Sequence, residues 1–143
     1  MKLTNILFLS ALLLLAHFSF AQSAANDIVG KWAGENNKAR FEIVKTGDTY
    51  SAKIISLAEP NDDAGKPKTD KNNPDKNLRN RPVVGLAFLT GLTFSGKKWE
   101  NGKVYSLERG ETLPCSIELA DKNTLKMKAS KGIISRTQTW KRL

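Results

Sequence analysis

Apolar and polar residues alternate with a period of two in short runs along most of the chain. The clearest run is Thr124–Ala129, in which Leu125 and Met127 alternate with Lys126 and Lys128. Because successive side chains of a β-strand point to opposite faces, this pattern predicts strands with one buried face. The strands predicted in this way are Ile28–Ala33, Arg40–Lys45, Tyr50–Leu57, Val83–Phe94, Lys103–Leu107, Thr112–Leu119, Thr124–Ala129 and Ser135–Arg142.

Short turn signals separate these runs, among them Thr46-Gly47-Asp48, Asn101-Gly102 and Arg109-Gly110. Eight strands joined by hairpin turns predict an all-β fold, an eight-stranded up-and-down antiparallel barrel. A two-sheet sandwich is the alternative. The interior of such a barrel is either filled by side chains or has room for one small ligand.

One polar segment, Glu59–Pro82, interrupts the pattern and contains four prolines. A loop of this length in a compact domain is often functional. Within it, residues 73–81 predict a short helix in which Asn73 is the cap, Pro74 takes the first helical position and Asp75 faces the helix dipole.

The N-terminus has the three parts of a signal peptide. Lys2 precedes an apolar stretch, Ile6–Phe20, and Ser19-Phe20-Ala21 places small residues at the −3 and −1 positions. We therefore predict cleavage after Ala21, which leaves residues 22–143 as one barrel domain without a transmembrane anchor, in the periplasm or secreted. An uncleaved membrane anchor is the alternative.

Cleavage would remove His17, the only histidine among 143 residues. Ser-His-Asp triads, Cys-His dyads and histidine zinc sites are then excluded. Cys115 is expected to be a buried apolar residue, because it shares a strand face with Ile117 and Leu119. The glutamates fall mostly at turns or on polar faces. We therefore expect no enzyme and no cofactor; a hydrolase using carboxylates or Cys115 is the alternative.

The net charge is +9 at pH 7, and removal of Lys2 with the leader lowers it to +8. Such an excess favours anionic partners, although it also serves solubility. No nucleic-acid-binding motif is present, so nucleic acid is not an expected partner.

A group of oxygen-bearing residues in the loop raises the question of calcium: Asp62, Asp63, Asp70, Asn72, Asn73 and Asp75. An EF-hand loop is excluded, because Pro74 occupies the fifth position counted from Asp70 and no glycine occupies the sixth. Solvated turn residues are the favoured interpretation, with an irregular calcium site as the alternative, and no metal is expected.

Four residues are candidate ligand contacts. Arg79 and Arg81 would clamp an anionic group, and Trp99 and Tyr105 would contact an apolar body. In the competing structural interpretation, Arg79 pairs with Asp75 at the i, i+4 spacing and Arg81 binds a carbonyl or a carboxylate. Core packing is the alternative for each large aromatic residue.

The motif Gly30-Lys31-Trp32 lies on the first predicted strand, and Arg136 and Arg142 flank Trp140 on the last. This combination resembles the calycin barrels, in which the tryptophan of a first-strand Gly-x-Trp motif packs under an arginine from the end of the chain. The resemblance implies a lipocalin-like barrel that is closed at its bottom by this pair.

A second pattern covers nearly all of the chain from Gly30 to Arg142. It comprises Asp70-x-x-Asn73-Pro74-Asp75-x-x-Leu78-Arg79-x-Arg81-Pro82-Val83-x-Gly85, Trp99, Gly102-Lys103-Val104-Tyr105 and Arg136-Thr137-x-x-Trp140-x-Arg142. This pattern resembles the exported bacterial family called domain of unknown function 2147. The chain departs from the family at Ser106-Leu107, where Asp-Pro is usual, and at Leu113, where tyrosine is common. The resemblance implies an exported, lipocalin-like protein and no established activity.

We therefore expect a monomeric, non-enzymatic protein of the cell envelope that binds a small anionic or amphipathic ligand, with the Glu59–Pro82 loop over or beside the barrel mouth. The alternative is a filled barrel that contacts an anionic polymer, a membrane surface or a protein partner.

Overall fold

A computed structural model describes residues 24–143; the predicted signal peptide and His17 lie outside this range. Eight strands follow one another in chain order: β1 (Gly30–Ala33), β2 (Ala39–Thr46), β3 (Thr49–Leu57), β4 (Ala87–Phe94), β5 (Trp99–Ser106), β6 (Glu111–Asp121), β7 (Thr124–Lys131) and β8 (Ile134–Arg142). Each strand pairs antiparallel with the next, and β8 pairs with β1 to close the barrel. The predicted all-β up-and-down barrel is confirmed, and the sandwich alternative is wrong.

This topology determines which connections lie at each end of the barrel. The turns β2–β3, β4–β5 and β6–β7 lie at one end together with both ends of the described chain; we call it the turn end. The connections β1–β2, β3–β4, β5–β6 and β7–β8 lie at the other, which we call the loop end. The β3–β4 connection contains the predicted long loop.

The barrel interior is filled by side chains. A single cluster of buried apolar residues runs through it, and Trp32, Trp99 and Trp140 are each at most 2% exposed. In the middle of the interior the rings of Phe41, Phe88 and Trp140 pack against one another with centroid distances of 4.6–5.9 Å. Near the turn end, Trp99 packs against the rings of Tyr50 at 6.4 Å and Phe94 at 4.9 Å. Of the two predicted alternatives, an interior filled by side chains and an interior with room for a small ligand, the structure shows the filled one.

Two strand boundaries differ from the prediction. β4 begins at Ala87 and not at Val83, because the backbone of Val83 pairs within the loop, where its N–H donates to the carbonyl of Lys68. Asn101-Gly102 is not a turn. Asn101 has a φ of 61° at a bulge inside β5, and a Cβ on Gly102 would lie 2.5 Å from Leu92. The actual turn precedes β5, where the Ser95 N–H donates to the carbonyl of Lys98.

Residues 24–29 cover the turn end. Ile28 is fully buried, and its carbonyl accepts a hydrogen bond from Trp32 Nε1 at 2.8 Å. Trp99 Nε1 donates to the carbonyl of Ala25 at 3.0 Å, and the Tyr50 hydroxyl donates to Asn26 Oδ1 at 3.1 Å. This segment therefore satisfies the polar atoms of the aromatic residues that reach the barrel bottom.

Arg142 also covers the turn end of the barrel. Its guanidinium carbon lies 4.2 Å from the centre of the Trp32 ring, and the group donates to the carbonyls of Asp27, Val29 and Lys122. This is the arrangement that the calycin resemblance implies. Arg136 is exposed and lies towards the loop end, so it takes no part in the closure.

Cys115 is buried among the core residues, as its strand face predicted. Burial raises the pKa of its thiol to about 12. The side chain is therefore a neutral thiol at physiological pH, which is the opposite of what a nucleophilic cysteine requires.

Candidate functional site

The connection between β3 and β4 is a folded unit with its own backbone pairing. Asn61 pairs with Pro67 and Thr69 pairs with Pro82 in two β-bridges. The Asp70 N–H donates to the carbonyl of Arg81 at 3.1 Å. The two halves of the segment therefore run side by side and bring Asp70 next to Arg81, which lies eleven positions later in the chain.

The predicted short helix is reduced to one 3-10 turn at Lys76–Leu78. Its cap is Asp75, whose carboxylate accepts from the Asn77 N–H at 2.9 Å. Asn73, the predicted cap, instead accepts from the Asp75 N–H at 2.9 Å. The predicted cap position was wrong by two residues, because Asn73 forms a local side-chain turn that precedes the helix.

Asp70 is the centre of this loop. Its side chain is 0% exposed. One carboxylate oxygen accepts from Asn73 Nδ2 at 2.7 Å and from Arg81 Nε and Nη2 at 3.0 and 2.8 Å. The other oxygen accepts from the hydroxyl of Tyr105 on β5 at 2.8 Å. We call these four residues, Asp70, Asn73, Arg81 and Tyr105, the Asp70 cluster; it ties the loop to the barrel wall.

The cluster holds Asp70 ionised. Burial alone would raise the pKa of this carboxyl group, but the hydrogen bonds from Asn73, Tyr105 and Arg81 and the charge of Arg81 together lower it. The pKa of Tyr105 is raised, first by burial and then by its hydrogen bond to Asp70. The group is therefore a carboxylate that accepts from a neutral phenol.

The predicted partners of the two arginines were wrong in part. Arg79 does not pair with Asp75, because the segment forms only a single 3-10 turn in place of the helix that would align them. Arg79 Nε donates instead to the carbonyl of Asn73 at 2.7 Å. Arg81 takes a carboxylate, as the structural interpretation proposed, and that carboxylate is Asp70.

The loop also rests on the β5–β6 turn. Asn72 Nδ2 donates to the carbonyls of Leu107 and Glu108 at 3.1 and 3.0 Å. Gly110 in that turn has a φ of 65°, and a Cβ there would lie 1.9 Å from the carbonyl oxygen of Asn72. Only glycine allows the two backbones to approach this closely.

A groove of about 380 Å³ lies between the loop and the barrel wall. Leu89 and Val104 form a buried pair in the β4–β5 register, and the next pair, Thr90 and Lys103, is exposed. Alternation along the strands therefore places the groove on the outer face of the barrel. We call it the Tyr105 groove; its lining includes Arg81, Ala87, Thr90, Lys103, Tyr105 and Thr112.

Within the described residues, the groove carries an unpaired positive charge at Lys103, while the positive charge of Arg81 is balanced by the ionised Asp70 behind it. Arg81 lies with its guanidinium carbon 5.7 Å from the centre of the Tyr105 ring, and Lys103 is exposed beside it. In the part of the chain that the structure describes, no aspartate or glutamate lines the groove. The hydroxyls of Thr90 and Thr112 add neutral hydrogen-bonding groups.

The structure brings together only some of the predicted contact residues. Arg81 and Tyr105 line the groove, and Arg79 lies in the same loop but stabilises its backbone. Trp99 is buried at the turn end of β5, where its indole N–H is bound to Ala25; it takes the alternative role of core packing. Lys103, Thr90 and Thr112 were missed, although Lys103 shares the outer strand face with Tyr105 and a period of two would have indicated it.

Three of the carboxylates considered for calcium have other partners. Asp62 accepts from the N–H groups of Ala64 and Lys66, Asp70 centres the cluster, and Asp75 caps the 3-10 turn. Within residues 24–143, no group of three or more histidine, cysteine, aspartate or glutamate side chains is arranged to hold a metal ion.

Residues 30–142 match the model of the family described as "uncharacterized protein conserved in bacteria (DUF2147)". The chain belongs to this family. The resemblance on which the sequence prediction rested is thereby confirmed. Over the described residues, no helix is both long and apolar enough to cross a membrane.

Among solved structures, the chain is similar to protein HP1028 from Helicobacter pylori, which is described as belonging to the lipocalin family. The TM-score is 0.71 with 27% identity, over 81% of this chain and 82% of the other. Weaker similarities are to a redesigned β-barrel (TM-score 0.47, 14% identity, 84% and 95% covered) and to a mutant of the fluorescent protein UnaG (0.43, 13%, 82% and 97%). No curated protein sequence gave a significant match.

Proposed function

We propose that this protein is an exported, non-enzymatic binding protein, and that its ligand site is the Tyr105 groove on the outer face of the barrel. The ligand class that fits is a small anion with an apolar portion. The observation that carries the proposal is the composition of the groove: Arg81 and Lys103 line it, and its described lining contains no carboxylate.

Each lining group has a part to play in such binding. Arg81 uses Nε and Nη2 on Asp70, and its remaining N–H groups are free to donate to an anion. Lys103 has no carboxylate partner within 4 Å among the described residues. The face of the Tyr105 ring offers an apolar surface, and the threonine hydroxyls offer orienting hydrogen bonds.

The filled interior supports an outer site over an inner one. Eight-stranded barrels that hold a ligand leave part of their interior unfilled, whereas here aromatic rings pack through it. The Asp70 cluster supplies the second requirement of a binding site, because it fixes Arg81 before the ligand arrives. A preorganised guanidinium loses less side-chain entropy on binding.

Calorimetric titration with phenyl phosphate, inorganic phosphate and benzyl alcohol tests this proposal. We expect phenyl phosphate to bind most tightly, because it alone presents both the anion and the ring. Lys103→Gln should weaken its binding about fivefold, and the matched control Lys97→Gln, in the β4–β5 turn at the opposite end, should leave it unchanged. Equal effects of the two variants would show that only net charge matters and would refute the groove as the site.

A second candidate is a longer anionic polymer. A larger groove of about 680 Å³ crosses β5, β6 and β7, shares Lys103 and Thr112 with the Tyr105 groove and adds Lys128 and Glu100, the latter paired with Lys98. Sulfated oligosaccharides of increasing length separate the two candidates. An affinity that rises with chain length and falls steeply with salt favours the polymer, and an affinity independent of length favours the small ligand.

Export rests on the predicted signal peptide. N-terminal sequencing of the protein recovered from a bacterial envelope fraction should start at Gln22. Recovery of the chain with Met1 in the cytoplasm would contradict this part of the proposal.

A further inference from the structure

The β7–β8 hairpin carries the two most exposed large apolar side chains of the described chain. Ile133 is 104% exposed and Ile134 is 73% exposed, against 58% for Leu143, the next most exposed. Lys131 pairs with Ile134, so the turn between the strands has only two residues. The isoleucines therefore form the tip of a tight hairpin at the loop end.

This tip stands clear of the barrel wall on one side. β8 pairs with β1 only through Arg142 and Lys141, while its pairing with β7 continues to Ile134. The first half of β8 thus extends past the end of β1. On the other side, Lys131 forms an ion pair with Glu111 on β6.

The charge of the hairpin has a single sign. Residues 124–142 contain six lysines and arginines and no aspartate or glutamate. Glu111 neutralises Lys131, and Glu118 lies opposite Lys126 in the β6–β7 register. Lys128 lies between Ser116 and Thr137, and Arg136 lies opposite Ala129. Both are exposed and keep their charge for an outside partner.

We propose that this hairpin docks the protein tip-first on an anionic lipid surface, with Ile133 and Ile134 inserted shallowly among the headgroups and with Lys128, on the outer face of the hairpin, and Arg136, on its inner face, close to the anionic groups. Apolar residues next to cations are the combination that binds the boundary between headgroups and acyl chains. The hairpin fits a shallow position, because Gly132 and Ile133 in the turn leave backbone groups that need water.

The charges of the hairpin are less compatible with self-association through the same strand edge. Antiparallel pairing of the free β8 edge in two copies, centred on Ile134–Gln138, would place Arg136 opposite Arg136. Like charges in facing positions destabilise a strand pair. The charge pattern therefore favours an anionic partner over a second copy of the chain.

Co-sedimentation with vesicles tests the proposal. We would use residues 22–143, which contain the entire closed barrel, with vesicles of phosphatidylcholine alone or mixed with phosphatidylglycerol. Binding is expected only with phosphatidylglycerol and should weaken with salt. Ile133→Ser with Ile134→Ser should reduce it about tenfold or more, and the control Val44→Ser on β2 should not reduce it. Unchanged binding by the double variant would overturn the proposal.

Two charge variants with equal net charge give a second comparison. Lys128→Gln with Arg136→Gln should weaken vesicle binding about tenfold or more, whereas Lys97→Gln with Lys122→Gln, at the turn end, should have a small effect. Equal losses of vesicle binding in the two variants would mean that binding depends on net charge and not on the β7–β8 hairpin, which would overturn the proposal.

A labelled cysteine reports insertion directly. Cys115 is buried with a raised pKa, so an environment-sensitive thiol dye should label Ile133→Cys selectively. Its emission should shift to the blue with anionic vesicles, and that of Thr46→Cys, at the turn end, should not. Sedimentation of the labelled protein without lipid completes the test: a dimer that depends on the isoleucines, without vesicle binding, would assign the tip to a protein interface and overturn the lipid proposal.

Discussion

Arg142 at the turn end and Arg81 at the loop end each make several hydrogen bonds, but their acceptors differ. Arg142 donates only to backbone carbonyls, those of Asp27, Val29 and Lys122, and covers Trp32. Arg81 donates to the buried carboxylate of Asp70. The first arrangement contains no acceptor that titrates, so it behaves as part of the core. The second depends on one ionised group that also binds Asn73 and Tyr105.

This difference separates an end whose closure does not titrate from an end that depends on one ionised carboxylate. At the turn end, the aromatic residues of the core and the N-terminal segment share one packed closure. At the loop end, the separate β3–β4 loop is held by the Asp70 cluster together with the buried side chains of Val83 and Leu86, and surface loops open at a lower free energy than a core. If the two ends are independent, substitutions at one end should leave the other end unchanged.

The largest effect is expected from Asp70→Asn. The variant removes the charge that Arg81 needs and leaves the guanidinium partly buried, so we expect a loss of about 3 kcal/mol in the free energy of unfolding, measured in urea. Asp63→Asn, an exposed position in the same loop, is the control and should change it by less than about 0.5 kcal/mol. A loss in Asp70→Asn no larger than in the control would mean that the cluster contributes nothing.

Arg142→Ala should destabilise the turn end by about 2 kcal/mol, because it removes three hydrogen bonds and the cation over Trp32. Arg136→Ala should be close to neutral, since that side chain is exposed at the other end. Urea denaturation of both variants decides which of the two arginines closes the barrel. Equal losses would contradict the assignment to Arg142.

The pH dependence should distinguish the two ends. The folded pKa of Asp70 lies below its ordinary value of 3.8, so its stabilisation is present above that value and is lost as pH falls through the folded pKa. The stability difference between the wild type and Asp70→Asn should therefore shrink in acid, and that for Arg142→Ala should stay level. Parallel pH profiles would contradict the comparison.

A smaller, local effect is expected from Gly110→Ala. Gly110 and Gly47 both have left-handed φ values, 65° and 60°, but a Cβ on Gly47 meets nothing within 4 Å. Gly110→Ala and the control Gly47→Ala both carry the backbone penalty of a left-handed φ, and Gly110→Ala should cost about 1 kcal/mol more because it displaces Asn72. Hydrogen exchange should rise in residues 58–86 for Gly110→Ala alone. Identical exchange in the two variants would mean that the loop does not depend on this contact.

The sequence predicts the barrel well, because alternation is a local signal and Leu125 or Met127 can be read without knowing their partners. It also points to Arg142, through the resemblance to calycins, although it does not separate Arg142 from Arg136. The sequence pattern does not indicate the partners of Asp70. The i, i+4 rule selects Asp75 with Arg79, whereas the actual contacts join Asp70 to residues 11 and 35 positions away.

Two further differences have the same origin. Trp99 and Tyr105 are both large aromatic residues, and the sequence predicts a turn between them at Asn101-Gly102. In the structure both lie on β5, and the bulge at Asn101 and the cover from Ala25 place Trp99 in the core. Phe88 and Trp140 fill the centre of the barrel only because the strands close into a ring. Whether a barrel is hollow depends on such contacts across the ring, and these have no signature in a single strand.

The most direct test of the proposed ligand site is an NMR titration of the protein with phenyl phosphate. If the ligand site is the Tyr105 groove, the amide signals of Thr90, Lys103 and Tyr105 shift with ligand, while the methyl signals of Leu89, Leu92 and Leu125 inside the barrel stay in place. Shifts of the interior methyl groups without shifts in the groove would contradict it, and would mean that the filled barrel opens to take its ligand inside.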